Sequence, residues 1–448
     1  MATLFQQFRP DSNISPSLEK AFNTIRFDQP FSCNDPTKYL KVRILPACLG
    51  LPASTNHEKT TFEMQYPDWE EVSGFPIALI TPFLGSFGTF EQNGAVIKIP
   101  DLGHIWSPDN FSDNTRLRVF PAAFDKYRAP FIKMMLLELL PRINHWITEI
   151  HNNPEKISSF VVLDAGSGVM SLTMYRIIEN CLKFKLKNQP KLLESALDKI
   201  KIVSIDINPR ALESTIKTRD LNQISGQNWI ISMHDYVKKG FDSIDCLAGE
   251  QIQYIDLNAP YHPEPPLIRP SGEILNIESF RTAIHGAAGE IGDSVNEIAI
   301  CAFGSSETAR SIKLTVKSPG KNGLPDLIER AIRGEIQGFD PSKHEITLAP
   351  THGDLTSREI CFETLPYLKF ITNGLSQTWA TQMARKYGKI THNYIIGIKK
   401  VAKGAGNVFM LPPLSTFINP EQACTPYYIA HQAMNQNYIS AQSTLLSN

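Results

Sequence analysis

Val161-Val162-Leu163-Asp164-Ala165-Gly166-Ser167-Gly168 decides how this chain reads. An apolar run ends in an acid and opens into a two-glycine turn ahead of a helix-like segment, the pattern of a nucleotide-binding first strand and its turn. Some forty residues on, Ile202-Val203-Ser204-Ile205-Asp206-Ile207-Asn208-Pro209 repeats the theme. This strand pattern also ends in an acid, and Arg210-Ala211-Leu212-Glu213 starts a helix. A third run, Trp229-Ile230-Ile231-Ser232-Met233, leads into His234-Asp235-Tyr236.

Each position has a physical task at the carboxyl edge of a parallel sheet. Gly166 and Gly168, next to Asp164 and Ala165, let the backbone turn tightly and approach a ligand without a Cβ in the way. Asp206, with Asn208 beside it, is placed to accept hydrogen bonds from two ribose hydroxyls. Asp235, followed by Tyr236, is placed to take an adenine amine. A glycine turn alone is weak, since D-x-G-x-G occurs by chance. Its order with the two later acids in one β/α alternation is what points to an adenosyl ligand. A dinucleotide fingerprint fits less well, because Ser171 stands where its third glycine would fall.

This order resembles the class I S-adenosylmethionine-dependent methyltransferases. The resemblance implies a Rossmann-like α/β core, a mostly parallel sheet with helices on both faces, and S-adenosylmethionine as cofactor. A second signature follows at Ile255-Asp256-Leu257-Asn258-Ala259-Pro260-Tyr261. It is similar to the Asn-Pro-Pro-Tyr tetrapeptide of methyltransferases that act on planar amine or amide nitrogens. Carried over, Asn258 and the carbonyl of Ala259 accept the two N–H bonds of the target, Pro260 stiffens the turn and Tyr261 stacks on the target plane. Ala259 departs from the pattern: the carbonyl survives, but the φ restriction of a proline is lost. Taken without the resemblance, the same four residues read as a turn leaving a strand.

Upstream, Arg118-Val119-Phe120-Pro121-Ala122-Ala123-Phe124-Asp125-Lys126-Tyr127-Arg128 precedes a helix-like stretch from Ala129 to Pro141. It resembles the lead-in of the HemK/PrmC-type glutamine methyltransferases, which implies that Phe120, Tyr127 and Arg128 line the cofactor pocket. The aromatic residues fit an ordinary core equally well.

Composition bounds these readings. At 448 residues the chain suffices for two or three domains with sizeable cores, and 42% hydrophobic with 20% charged residues describes a globular protein. The most apolar helical stretch, Phe131 to Ile143, is interrupted by Lys133, Glu138 and Pro141, so no membrane partner is expected. The amino terminus lacks the pattern of a secretory signal. Seven scattered cysteines without C-x-x-C argue for reduced thiols in the cytoplasm, and eleven histidines without paired spacing argue against a metal. Forty-four basic and 45 acidic residues leave a net charge of −1, so no global field draws the chain to nucleic acid. Local lysine groups, Lys183 to Lys201 and Lys399 to Lys403, read first as solvated faces.

The organisation expected is an accessory mixed or β-rich module over 1–115, a methyltransferase core with insertions over 116–400, and a C-terminal extension over 401–448. Within the core, Glu297 to Phe303 reads as a strand, Leu324 to Ile336 as a helix, and Glu345 to Leu348 and Tyr394 to Ile398 as strands. Leu182 to Leu197 reads as one long helical region, and the tail past Lys400 as a loop and a marginal helix. A protein side-chain amide is the substrate favoured by the resemblance. A nucleic-acid base amine, or a degenerate cofactor-binding scaffold, stays open beside it.

Overall fold

A computed structural model of the chain describes residues 70, 73–79, 83, 89–91, 96–99, 102–106, 128–166, 168–247, 249–259, 267–268, 274–275, 288–320, 325–350, 353–354, 361–363, 377–388, 390–410 and 416–417. Strands β1 (Thr89–Glu91), β2 (Val96–Ile99) and β3 (Gly103–Trp106) form an antiparallel meander. Helix α1 (Arg128–Asn152) leads into β4 (Phe160–Ala165), α2 (Val169–Lys185), α3 (Pro190–Leu197), β5 (Ile200–Asp206), α4 (Pro209–Leu221) and β6 (Trp229–Met233). The one-turn α5 (Tyr236–Lys239) and β7 (Ile252–Leu257) follow. Two-residue strands β8 (Leu267–Ile268) and β9 (Ile274–Leu275) pair with each other ahead of α6 (Ser294–Ser305), β10 (Ser311–Gly320), α7 (Asp326–Ile332) and β11 (His344–Pro350). Then come β12 (Gly353–Asp354), β13 (Cys361–Glu363), α8 (Gln377–Tyr387), β14 (Ile390–Lys400), β15 (Asn407–Met410) and β16 (Thr416–Phe417).

The main sheet has nine strands in the order β15-β11-β14-β10-β7-β4-β5-β6, with β13 also on β14. β14 alone runs against the others, pairing antiparallel with β10, β11 and β13. From β4 the chain order climbs outward through β5 and β6 on one side, and resumes at β7 and β10 on the other. That reversal between β4 and β7 makes their carboxyl ends a topological switch point, the place where open α/β sheets bind ligands. The fold is Rossmann-like α/β, as the sequence leads one to expect.

Continuous burial explains the central strands. Val161, Val162 and Leu163 are 0% exposed, so β4 is apolar on both faces, as a parallel strand covered on both sides must be. On one face α1 and α2 bury Met134, Leu137, Leu172 and Ile178 against Val162, Ile202 and Tyr254. On the other, α6 and α7 bury Ala299, Ile300, Phe303, Leu327 and Ile328 against Leu163, Ile255, Leu314 and Ile396.

Several expectations are corrected. The run from Glu297 to Phe303 is not a strand but the middle of α6, with Asn296, Ala299, Ile300 and Phe303 buried at helical spacing. A short continuous apolar run fits a buried helix and a buried strand equally, and here the twelve-residue helix wins. The strand of this region is β10, all ten residues of which are buried. The helical region from Leu182 to Leu197 divides at 186–189, where Pro190 takes the first position of α3. α1 runs on through Pro141 to Asn152. One lost backbone hydrogen bond is offset there by burial of Ile143, Trp146, Ile147 and Ile150 on a single stripe. Past Lys400, Asn407–Met410 form β15, which joins the main sheet beside β11, and the marginal helix expected in the polar tail lies outside the described residues.

In the amino-terminal region, the β1–β3 meander is tied through β3 to α4, and a short 3-10 turn precedes it at Ile77–Leu79. Asn222 donates through Nδ2 to His104 O at 2.6 Å and accepts from His104 N at 3.1 Å. Trp106 N–H donates to Thr218 Oγ1 at 3.0 Å, and Ser214 Oγ donates to Trp106 O at 2.7 Å.

Candidate functional site at the carboxyl edge of the sheet

Four strand ends supply the site. At the end of β4, Gly168 sits at φ +88 and caps α2. A Cβ there would lie 3.0 Å from Thr215 Cγ2 and 3.3 Å from Trp229 Cζ2, so glycine is required both by conformation and by the approach of α4 and β6. Gly166 differs: among the described residues, a Cβ on it would meet only Asp164 Oδ1 at 3.9 Å, which leaves space over the turn on that side.

Asp164 is buried, and its Oδ2 accepts from Ser171 N at 3.0 Å and from Ser171 Oγ at 2.5 Å. Ser171 Oγ shares a 2.6 Å hydrogen bond with Ser204 Oγ, which accepts from Trp229 Nε1 at 2.7 Å. Since the Ser171 hydroxyl donates to Asp164, Ser204 must donate to Ser171, and the whole chain of donors points at one carboxylate. The serine in place of a third glycine thus has a definite task. Burial pushes the Asp164 carboxyl up to about 7, the nearby Asp256 charge adds to this, and the Ser171 bonds and the Lys313 charge oppose it.

At the end of β5, Asp206 Oδ1 accepts from Asn208 N at 2.8 Å. Its carboxyl is raised by burial, with the N–H groups of Asn208 and Ile207 pulling the other way. At the end of β6, Asp235 caps α5: Oδ1 accepts from Val237 N at 3.1 Å and Lys238 N at 3.3 Å, and Oδ2 lies 3.4 Å from Lys238 Nζ. Tyr236 stacks on Phe241 at 5.3 Å, and burial, then the charges of Asp206 and Asp235, raise its hydroxyl. Across the switch point, Asn258 follows β7 with an exposed side chain, and Ala259 is buried. Phe120, Tyr127, Pro260 and Tyr261 lie outside the described residues, and of Arg128 only the backbone, the start of α1, is described.

The structure adds groups that no motif announces. Ile207 and Met233, 51% and 63% exposed, flank Asp206 at the β5 and β6 ends. Large apolar side chains left open beside a glycine turn are a signal of a planar ligand face. Beyond β7, toward the carboxyl end of β10, Asp293, Asn296 Oδ1 and Ser318 Oγ are buried polar groups that make no close hydrogen bond among the described residues, with Ser318 the polar neighbour of Asp293. Burial pushes the Asp293 carboxyl up to about 7, the adjacent Ser318 hydroxyl opposes, and the Asp326 charge adds. Below the edge, Lys313 Nζ donates to Asp256 Oδ1 at 2.8 Å, both side chains fully buried. Of the lysine groups, Lys183, Lys201 and Lys399 are engaged with Glu179, Glu250 and Glu345. No helix among the described residues is long and apolar enough to cross a membrane.

Among known proteins, no family model and no curated protein matches the chain. Solved structures give distant likenesses. One assigned as a class I S-adenosylmethionine-dependent methyltransferase from Listeria monocytogenes is 10% identical, with 86% of this chain and 80% of that chain covered at a TM-score of 0.29. The N-terminal domain of human METTL16 in complex with SAH is 11% identical over 76% and 94%, at 0.25. The 23S rRNA methyltransferase ErmE is 10% identical over 58% and 68%, at 0.25. Scores this low leave the fold to be read from the chain's own strand order, which is Rossmann-like with one reversed strand.

Proposed function

We propose that this chain is an S-adenosylmethionine-dependent methyltransferase acting on a planar nitrogen, with a protein side-chain amide as the substrate class. One observation carries the reading: the glycine turn, Asp206 and Asn258 arrive at one carboxyl edge, on the two sides of the switch point. The residues fit the cofactor. Open space over Gly166 admits a chain of atoms, Asp206 offers acceptors to a ribose, and Ile207 and Met233 offer apolar faces to a purine. Asp164 and Ala165 shape the turn, Asn208 holds Asp206, and Asp235 caps the short helix whose first residue, Tyr236, feels the Asp206 charge. Phe120, Tyr127 and Arg128 would close over it from the lead-in to α1.

When bound, S-adenosylmethionine supplies an electrophilic methyl group. The protein orients the nucleophile: Asn258 Oδ1 and the Ala259 carbonyl accept the target's two N–H bonds, Pro260 holds the turn, and Tyr261 stacks on the plane, so that the nitrogen lone pair faces the cofactor. An amide nitrogen grows acidic as it is alkylated, so no strong base is needed. The HemK-like tetrapeptide and the near-neutral charge favour a protein amide over a base amine.

Calorimetric titration with S-adenosylmethionine and S-adenosylhomocysteine tests the reading. Binding is expected in the wild type, with roughly hundredfold loss in Asp206→Ala as two charge-assisted hydrogen bonds vanish. A well-folded protein that binds neither compound would refute it. Substrate class is then separated by salt: a nucleic acid predicts a steep fall in affinity with added salt, a protein amide a shallow one.

A further inference from the structure

One pleat below the carboxyl edge, a row of ionisable side chains crosses the sheet. Lys313 on β10 pairs in register with Asp256 on β7, Asp256 with Asp164 on β4, and Asp164 with Ser204 on β5. Lys313, Asp256 and Ser204 are 0% exposed and Asp164 is 3% exposed, so bulk water does not screen them. Asp256 precedes Asn258 by two residues and Asp164 precedes Gly166 by two. On a strand that spacing keeps the same face, so the row lies beneath both the catalytic turn and the glycine turn. Fully ionised, the row holds two negative charges and one positive. With one proton on the acids it is neutral. Neighbouring parallel strands lie about 4.8 Å apart, so two buried carboxylates in register interact strongly.

We infer that the Asp164–Asp256–Lys313 row sets the charge preference of the edge above it, favouring a sulfonium ligand over the uncharged thioether that remains after methyl transfer. This rests on the function proposed above and deepens it. A single net negative charge, buried and fixed, attracts a cation held above the β4 and β7 ends and is indifferent to a neutral sulfur. An enzyme limited by product retention gains from such a difference, since it weakens the product alone. The donor chain Trp229–Ser204–Ser171 holds Asp164 in place from the opposite side, and the Lys313 ammonium rests 4.7 Å from the Phe131 ring centre. These are positioning residues, acting through Asp164 and Asp256. Among the described residues, the other titratable or charged groups facing the row are Tyr254 on β7, Lys317 on β10, Glu138 and Arg142 on α1, and Asp206 one pleat further along β5.

The test is titration of the full chain with S-adenosylmethionine and S-adenosylhomocysteine at pH 6, 7 and 8. The comparison is between the wild type, Asp164→Asn and Lys313→Met. As the row loses its proton, the wild-type preference for the sulfonium compound rises by about tenfold across this range, equivalent to one pKa unit of linkage. In Asp164→Asn the rise is absent, and whatever pH dependence remains belongs to the ligand's own amine. Lys313→Met moves the rise to higher pH, because Asp164 without the opposing Lys313 charge holds its proton longer. A packing role alone would not produce that displacement. Parallel pH profiles in all three proteins, with both ligands bound, overturn the inference and leave the proposed function standing. Absence of binding in the wild type overturns both. Should Asp164→Asn fail to fold, the displacement in Lys313→Met decides.

Discussion

The two sides of the switch point are built on different principles. On the β4-β5-β6 side the strands run parallel and are largely apolar around the buried Asp164 and Ser204, with most of their polar groups at the tips: glycines after β4, acids at the ends of β5 and β6. On the β7-β10-β14 side a reversed strand is inserted and the chemistry sits inside the strands. β10 buries Lys313 and Lys317, β7 buries Asp256, and the buried polar groups of Asp293, Asn296 and Ser318 gather where β10 ends. On the function proposed above, the first side would hold a ligand by shape and hydrogen bonds at loops. The second carries desolvated charge, which is costly alone and tolerated when paired as in Lys313–Asp256. The difference teaches that the two halves should fail differently when altered.

The largest expected effect is at the catalytic turn. Asn258→Ala should lower methyl transfer by two to three orders of magnitude, the scale of losing one orienting hydrogen-bond group, while cofactor affinity changes by less than about twofold. The check is transfer of a labelled methyl group into protein and RNA fractions, beside calorimetry. Equal loss of binding and transfer would erase the division of labour between the halves. Next is the turn on the cofactor side. Gly168→Ala should destabilise the fold by about 1–3 kcal/mol, combining left-handed backbone strain with crowding at Thr215 and Trp229. Gly240→Ala, at φ +70 with nothing within 4 Å, should cost only about 1 kcal/mol in urea unfolding. Similar losses at the two sites would show that packing against α4 and β6 is not what fixes the turn.

The smallest effect sharpens the other half. The Asp293 carboxyl is raised to about 7 when folded, against about 3.9 in an unfolded chain. The folded state therefore holds a proton that the unfolded state has lost between those values. The resulting stability is fully present below about pH 4 and disappears as pH rises through 7. Asp293→Asn should flatten the decline between pH 5 and 8 by on the order of 2 kcal/mol, read from urea midpoints. Asp164 adds to the remaining slope with the same sign, and His344, whose imidazole is lowered by burial, opposes it. An unchanged slope would place the titration of this half elsewhere.

The same contrast explains what a sequence reveals. Tips announce themselves: Gly166, Gly168, Asp206 and Asn258 interrupt apolar runs and can be read in order, and the Rossmann-like fold follows from that order. Interiors do not. Nothing local distinguishes the helix at Ile298-Ala299-Ile300 from a strand, because Ile298 to Phe303 are all apolar, on the half-buried side of the helix as well as on the buried one. β10 has alternation, Ile312, Leu314 and Val316 against Lys313, Thr315 and Lys317, yet that pattern promises a solvated face that the structure covers with α1. Asp256 acquires its significance only from register, since its partners Asp164 and Lys313 lie 92 and 57 residues away in the chain. Ser171 is readable as an absent glycine, but its service to Asp164 is visible only in three dimensions.

Trp229 also has an optical consequence. Its indole N–H ends the donor chain that points at Asp164, and its ring edge lies against Gly168. Indole emission responds to nearby charge and to the polarity of its hydrogen-bond partner. The fold has therefore placed a fluorophore, fully screened from solvent, against the glycine turn and two hydrogen-bonded serines away from the buried acid. Occupancy of the turn and ionisation of Asp164 are thereby written into the protein's own emission, with no label attached.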